Sequence, residues 1–311
     1  MNPKKILVTG GAGLLGSALK GLCPEAVYVT REDADLTDPR RTRELFESIR
    51  PEAVLHCSAR VGGVKINAEK GDEMFAENVQ INASVLSAAR ISGVKKLISV
   101  LSSCAYPDSP DRPLSEDDLH RGFPFHGHLG YAYSKRALDV LTRLISERHG
   151  LAYTTITPAT MFGPHDSWDL DSAHVIGALI SKCRDAKRNA TALEVWGSGR
   201  AVRQFICSAD VARVMLALLD RIDGPRTTIV APDEGISIRT LAETIARAMD
   251  FRGPVVFDES KPEGQAVRVL KSGRFEKLFP DFKFTPLEKA LGETARWFES
   301  NVPAREKAGK R

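Results

Sequence analysis

A short apolar run that stops on three evenly spaced glycines constrains this chain more than any other feature. Lys5-Ile-Leu-Val-Thr9 is apolar and β-branched, as a strand covered on both faces of a parallel sheet must be. Gly10-Gly-Ala-Gly13-Leu-Leu-Gly16 follows at once, and a helix is expected over residues 14–22. Residues without a Cβ let the backbone approach a pyrophosphate closely. The start of the helix then offers oriented N–H groups and a partial positive charge. Glycines so spaced also serve as a plain tight turn between strand and helix. Their place here favours nucleotide binding, with Gly10, Gly13, Leu14, Leu15 and Gly16 facing the phosphates.

The alternation then continues. Strands are expected near residues 26–30, 53–57, 96–101 and 152–157, and helices near 40–49, 73–91 and 129–148. Gly93 and Gly150 stand just past two of those helices as stop signals. Parallel neighbours need crossover helices, so the fold class is α/β: a Rossmann-type doubly wound parallel sheet. After Pro164 the pattern loosens into apolar pieces at 192–195, 227–230 and 255–257, among helices such as 237–249 and 286–298. The expected organisation is a dinucleotide-binding domain over 1–164 and a smaller α+β substrate domain over 165–303. The second is interleaved with the last sheet strands, and residues 304–311, without apolar anchors, form a flexible tail.

Composition narrows the class further. A chain of 311 residues, 42% apolar and 27% charged, can bury its own core and is neither disordered nor a coiled coil. Its net charge of +4 is too small and dispersed to call for nucleic acid. No apolar run reaches the ~18 residues of a membrane span. Residues 1–5 lead into a strand rather than a signal peptide, so a cytoplasmic protein with no membrane partner is expected. The five cysteines (Cys23, Cys57, Cys104, Cys183, Cys207) form no CxxC pair, which argues against a disulfide framework or zinc knuckle. His126-Gly-His128 has no further ligands nearby and reads as a polar loop, so no metal is expected.

The end of the second strand discriminates between dinucleotides. An acidic residue there suits a free ribose 2′-hydroxyl, a cation a 2′-phosphate. Arg31 occupies that place in Val29-Thr-Arg-Glu-Asp33, which favours NADP(H); the bland alternative is a solvated arginine neutralised by its acidic neighbours. Tyr131-Ala-Tyr-Ser-Lys135 sets Tyr131 and Lys135 on one helix face. A nearby ammonium favours the phenolate and lowers a tyrosine's pKa from ~10. Ser102, at the tip of a strand, is placed to hold the substrate oxygen beside the phenol. The chemistry is hydride transfer at a carbonyl or carbinol carbon.

Gly10–Gly16, Ser102 and the Tyr131/Lys135 pair resemble an extended short-chain dehydrogenase/reductase. A narrower resemblance, to the GDP-L-fucose synthase family, rests on Ser102-Ser-Cys104-Ala-Tyr-Pro107, Phe162-Gly-Pro-His-Asp166, Ala173-His-Val-Ile176 and Val195-Trp-Gly-Ser-Gly199. It runs in register from the first strand to about residue 298. That resemblance implies a 3,5-epimerase/4-reductase acting on a GDP-linked 4-keto sugar. Cys104 stands at the position of its base, His174 at that of its acid, and a homodimer forms through helices 73–91 and 129–148. It further implies cofactor contacts from Asp35, Leu36, Ser58, Ala59, Arg60, Pro158, Thr160 and His174, beside Arg31, Tyr131 and Lys135. Substrate contacts are implied from Ser103, Lys182, Trp196 and Arg203, with Lys182 and Arg203 on the diphosphate. The chain departs from the family at Pro158-Ala-Thr160, where Pro-Thr-Asn is usual, at Val267, and over residues 271–275. A nucleotide-sugar epimerase or dehydratase that retains NAD is the rival enzyme, and a dinucleotide sensor the rival without chemistry.

Overall fold

The apolar run after Lys5 becomes β1 (Ile6–Thr9), whose four residues are all buried. It lies parallel to β2 (Val27–Val29) on one side and β3 (Ala53–His56) on the other. The sheet continues through β4 (Lys96–Val100) and β5 (Ala152–Pro158) to the strand Thr228–Val230, six strands in all and all parallel. The chain therefore winds outward from β1 in both directions. A crevice opens where the order reverses, beyond the carboxyl ends of β1 and β3, and such crevices bind ligands in open α/β sheets. The computed structural model describes residues 5–108, 112–170, 173–261 and 263–303, so the expected tail at 304–311 lies outside the described residues.

Local sequence explains the crossovers. Helix α1 (Leu14–Leu22) starts at Gly13 with no side-chain cap. Helix α2 (Pro39–Ile49) is capped by Asp38, which accepts from the Arg40 and Arg41 N–H groups, and Pro39 opens its first turn. A short α3 (Val64–Glu69) leads into α4 (Gly71–Ile91), which packs along α5 (Leu129–His149). Gly150 stops α5 in the left-handed region at φ 62°.

Later segments divide between two apolar cores. Val211, Met215, Ile229 and Phe275 join the first, around Leu7, Val54, Leu97 and Tyr153 of the large sheet. Phe162, Ile180, Leu193, Leu241, Leu291 and Phe298 form the second. Helix α6 (Val175–Asn189) and the helix Ser208–Leu218 join the two helices foreseen here, which span Ile238–Ala248 and Leu287–Asn301. Two short parallel pairings matter for the site. Thr160–Phe162 pairs with Phe205–Cys207, and Val202–Arg203 pairs with Val267–Arg268, setting Arg203 directly beside Arg268.

Candidate active site

Two close contacts make the glycine turn what it is. A Cβ on Gly16 would lie 2.2 Å from the Gly10 carbonyl oxygen, so nothing larger lets α1 meet the turn. Gly10 itself has φ +73°, and a Cβ there would press on the Ser58 amide at 2.9 Å. Because Gly13 supplies no side-chain acceptor, the first-turn N–H groups of α1 point to the crevice uncapped. Ser58, Ala59 and Arg60 leave β3 alongside. Thr9 Oγ1 accepts from the Ser58 N–H at 3.3 Å and meets Nδ1 of the buried His56 at 2.8 Å, clamping β1 to β3. A cradle closed to side chains and lined by free amide donors fits a dinucleotide pyrophosphate.

Farther along the crevice the residues expected to meet the adenosine are placed differently from one another. Leu36 is buried, and Asp35 turns its carboxylate to the Thr37 amide and hydroxyl at 3.0 and 2.7 Å. Asp33 caps Thr30 in the same manner, at 2.8 Å from both its N–H and its hydroxyl. Arg31 is neutralised neither by Glu32 nor by Asp33. Its partner is Glu77 of α4, which also holds Arg60 at 2.9 Å.

The proton-transfer residues converge because α5 is tied to the end of β4. Lys135 Nζ donates to the Val100 carbonyl at 2.8 Å. Arg136 donates to the carbonyls of Ala105 (2.7 Å) and Gly122 (2.9 Å). These bonds fix the tight turn Ser103–Ala105, in which the Cys104 N–H donates to Ser102 Oγ at 3.2 Å. Ser103 is buried behind it. The Tyr131 phenol is hydrogen-bonded to Ser102 and lies in the field of Cys104, and the Lys135 ammonium is 5.6 Å from its ring centroid.

The expected lowering of the Tyr131 pKa is not met in the free site. Burial pushes that phenol well above its ordinary range, Cys104 adds to the rise, and only the Ser102 hydrogen bond opposes it. Lys135 bears the same cost of burial, which brings it down to about 8. Desolvation is therefore the largest influence on both groups. The phenol stays loaded with its proton.

One further residue joins the rest. Arg268 donates to Cys104 Sγ at 3.1 Å and to Thr160 Oγ1 at 3.4 Å. Its charge, after burial, lowers the pKa of His174 at the start of α6, and burial with Arg268 beside it brings Arg203 down to about 10. The Arg203 guanidinium is anchored on the carbonyls of Val202 (2.7 Å) and Gln265. A buried guanidinium, Arg203, and a partly buried one, Arg268, on adjacent strands form a site for an anion. Lys182 lies 4.7 Å over the Trp196 ring and donates to the Glu194 carbonyl at 3.2 Å; Trp196, 47% exposed, keeps a face open.

His128 departs from its reading as part of a polar loop. It ends a tight turn running into α5, and its Nδ1 is shielded from solvent without a hydrogen-bond partner. Burial, then Arg268, Arg203 and His174, lower its pKa to about 4, so it stands among those residues as a neutral ring. Sequence reasoning passed over Arg268 and read His128 only as part of a polar loop. The visible signal for Arg268 was a second cation beside the unusual Val267, in a segment already marked as divergent.

With this geometry in place, comparison with known proteins gives a consistent answer. Residues 6–231 match the NAD dependent epimerase/dehydratase family. The chain is 37% identical over 307 residues to the GDP-L-fucose synthase of Dictyostelium discoideum, covering 96% of each, and 30% identical to that of Escherichia coli, covering 97% and 98%. It superposes with TM-score 0.86 on the GDP-L-fucose synthetase of Naegleria fowleri bound to NADP, at 36% identity and covering 95% and 92% of the two chains. The chain belongs to the NAD dependent epimerase/dehydratase family and, within it, to the GDP-L-fucose synthases.

Proposed function

We propose that this chain converts GDP-4-keto-6-deoxy-D-mannose to GDP-L-fucose, inverting C3 and C5 and reducing C4. The observation that carries this reading is the Cys104 thiol beside the Ser102–Tyr131 pair, joined through Arg268 to the His174 corner. An ordinary dehydrogenase has no use for a thiol there.

The 4-keto group acidifies the hydrogens on C3 and C5, and inversion needs a base on one face of the ring and an acid on the other. Cys104 removes the proton, with the Arg268 guanidinium donating to its sulfur. His174, whose pKa burial and Arg268 lower, returns a proton to the opposite face as the imidazolium and is left neutral. Between the two inversions the Cys104 thiol gives its proton to solvent and His174 takes one up. Ser102 and Tyr131 hold the C4 oxygen through both enolisations. Bound NADPH supplies the hydride that ends at C4. Tyr131, whose phenol keeps its proton, gives it to the C4 oxygen, and Lys135 on the same helix face steadies the phenolate that remains. Arg203 and Lys182 face the diphosphate, with Arg268 beside Arg203 and Trp196 beside the nucleoside. Thr160, where the family carries an amide, contributes by accepting from Arg268.

We read residues 1–164 as holding mainly the cofactor and 165–303 mainly the sugar nucleotide. A homodimer is inferred from the outer faces of α4 and α5, where Phe75, Val140 and Leu144 stand exposed beside a shallow groove. Among the described residues no helix is long and apolar enough to cross a membrane, and we place the enzyme in the cytoplasm. The test is incubation with GDP-4-keto-6-deoxy-D-mannose and NADPH. One cofactor oxidised per GDP-L-fucose formed, identified by NMR, is expected. A product formed with no net cofactor use favours the NAD-retaining epimerase, and no turnover rejects the reading.

A further inference from the structure

Beyond the carboxyl ends of β2 and β3, two arginines from separate loops meet on one carboxylate. Glu77 on α4 spends one oxygen on Arg31 and the other on Arg60 Nη1 at 2.9 Å. Glu73, one helical turn earlier, takes Arg60 Nη2 at 2.9 Å. The backbone under Arg60 is pinned as well: its N–H donates to Asn78 Oδ1 at 2.8 Å, and its carbonyl accepts from Asn78 Nδ2 at 3.0 Å. Arg31 is 78% exposed at its side chain but Glu77 only 20%, so the arginine reaches in from solvent to a carboxylate already in place. Two guanidiniums face two carboxylates, and the cluster carries no net charge.

A carboxylate bridging two arginines offers them what a phosphate offers, two anionic oxygens at fixed separation. A ribose 2′-phosphate differs in carrying about −1.5 to −2 charges and three acceptor oxygens. We propose that Glu77 is a built-in stand-in for the adenosine 2′-phosphate, which holds Arg31 and Arg60 at phosphate spacing and which the phosphate must displace. Glu77 thereby sets how strongly this chain prefers the phosphorylated dinucleotide. The inference rests on the NADP(H) reading above and adds a specificity determinant to it. Like charges a few ångströms apart in water repel by an amount worth about fivefold in affinity. Removing the Glu77 charge must therefore strengthen phosphate binding. Glu73 touches only Arg60, so its removal has a smaller effect.

The experiment is calorimetric titration of the whole protein with 2′,5′-ADP and with 5′-AMP, which differ only in the phosphate and involve no turnover. Glu77→Gln is expected to bind 2′,5′-ADP about fivefold more tightly, with 5′-AMP nearly unmoved and Glu73→Gln intermediate. Unchanged or weaker 2′,5′-ADP binding by Glu77→Gln overturns the proposal, because the carboxylate would then be only a brace. Wild-type protein that binds 2′,5′-ADP no better than 5′-AMP overturns the NADP(H) reading itself, and the proposal with it.

Discussion

The cofactor cradle is made from one short stretch, residues 10–22 with β3 pressed against it, whereas the sugar-side cluster draws on five separated places in the chain. Cys104 comes from the turn after β4, Tyr131 from α5, His174 from the start of α6, and Arg203 and Arg268 from two paired strands. The first surface consists of backbone and missing side chains, and its geometry is enforced by contacts such as the 2.2 Å approach at Gly16. The second consists of ionisable side chains whose protonation is set by burial and by one another. A backbone cradle serves any dinucleotide, while an assembled cluster can be retuned one residue at a time. The departures at Val267 and Thr160 fall in the second region, at or beside Arg268 and its contacts.

Substitutions can separate the two regions. The largest effect is expected from Tyr131→Phe, which removes the proton donor to C4. NADPH oxidation should fall by about a hundredfold or more, while 2′,5′-ADP binding holds. Gly16→Ala strikes the other region. It should cost about 1–3 kcal/mol of stability, read by urea unfolding, and weaken NADPH binding far more than exchange of the sugar's ring protons with solvent. Equal losses would show that the regions are one cooperative unit. Arg268→Met should slow that exchange about tenfold, in line with the loss of one charge-assisted contact, and raise the substrate KM. Lysine at 268 should recover the KM better than the exchange rate, since one ammonium cannot reach both Cys104 and Thr160 as a fork does.

What the sequence disclosed follows the same division. The strands of the large sheet and helices α1, α2, α4 and α5 lie within a few residues of their expected places, because each carries its own periodicity and stop signal. Gly10, Gly13 and Gly16 were legible for that reason too. Arg268 and His128 were not, since their significance lies in what they approach: a thiol 164 positions away for one, and Arg203, Arg268 and His174 for the other. The same holds for Arg31, whose partner Glu77 stands 46 positions on. Charge pairing between distant segments leaves no local pattern. The Tyr131 pKa shows a further limit, for the direction of its shift depends on burial that spacing alone does not reveal.

Where the protons of the ring go decides the account most directly. Wild-type protein and Cys104→Ser are given GDP-4-keto-6-deoxy-D-mannose in heavy water, and deuterium at each sugar carbon is counted by NMR. The wild type should place solvent deuterium at C3 and C5, and Cys104→Ser should lose both labels while its affinity for 2′,5′-ADP stays the same. Labels that persist without the thiol, or a reduced product that never exchanged, would contradict it.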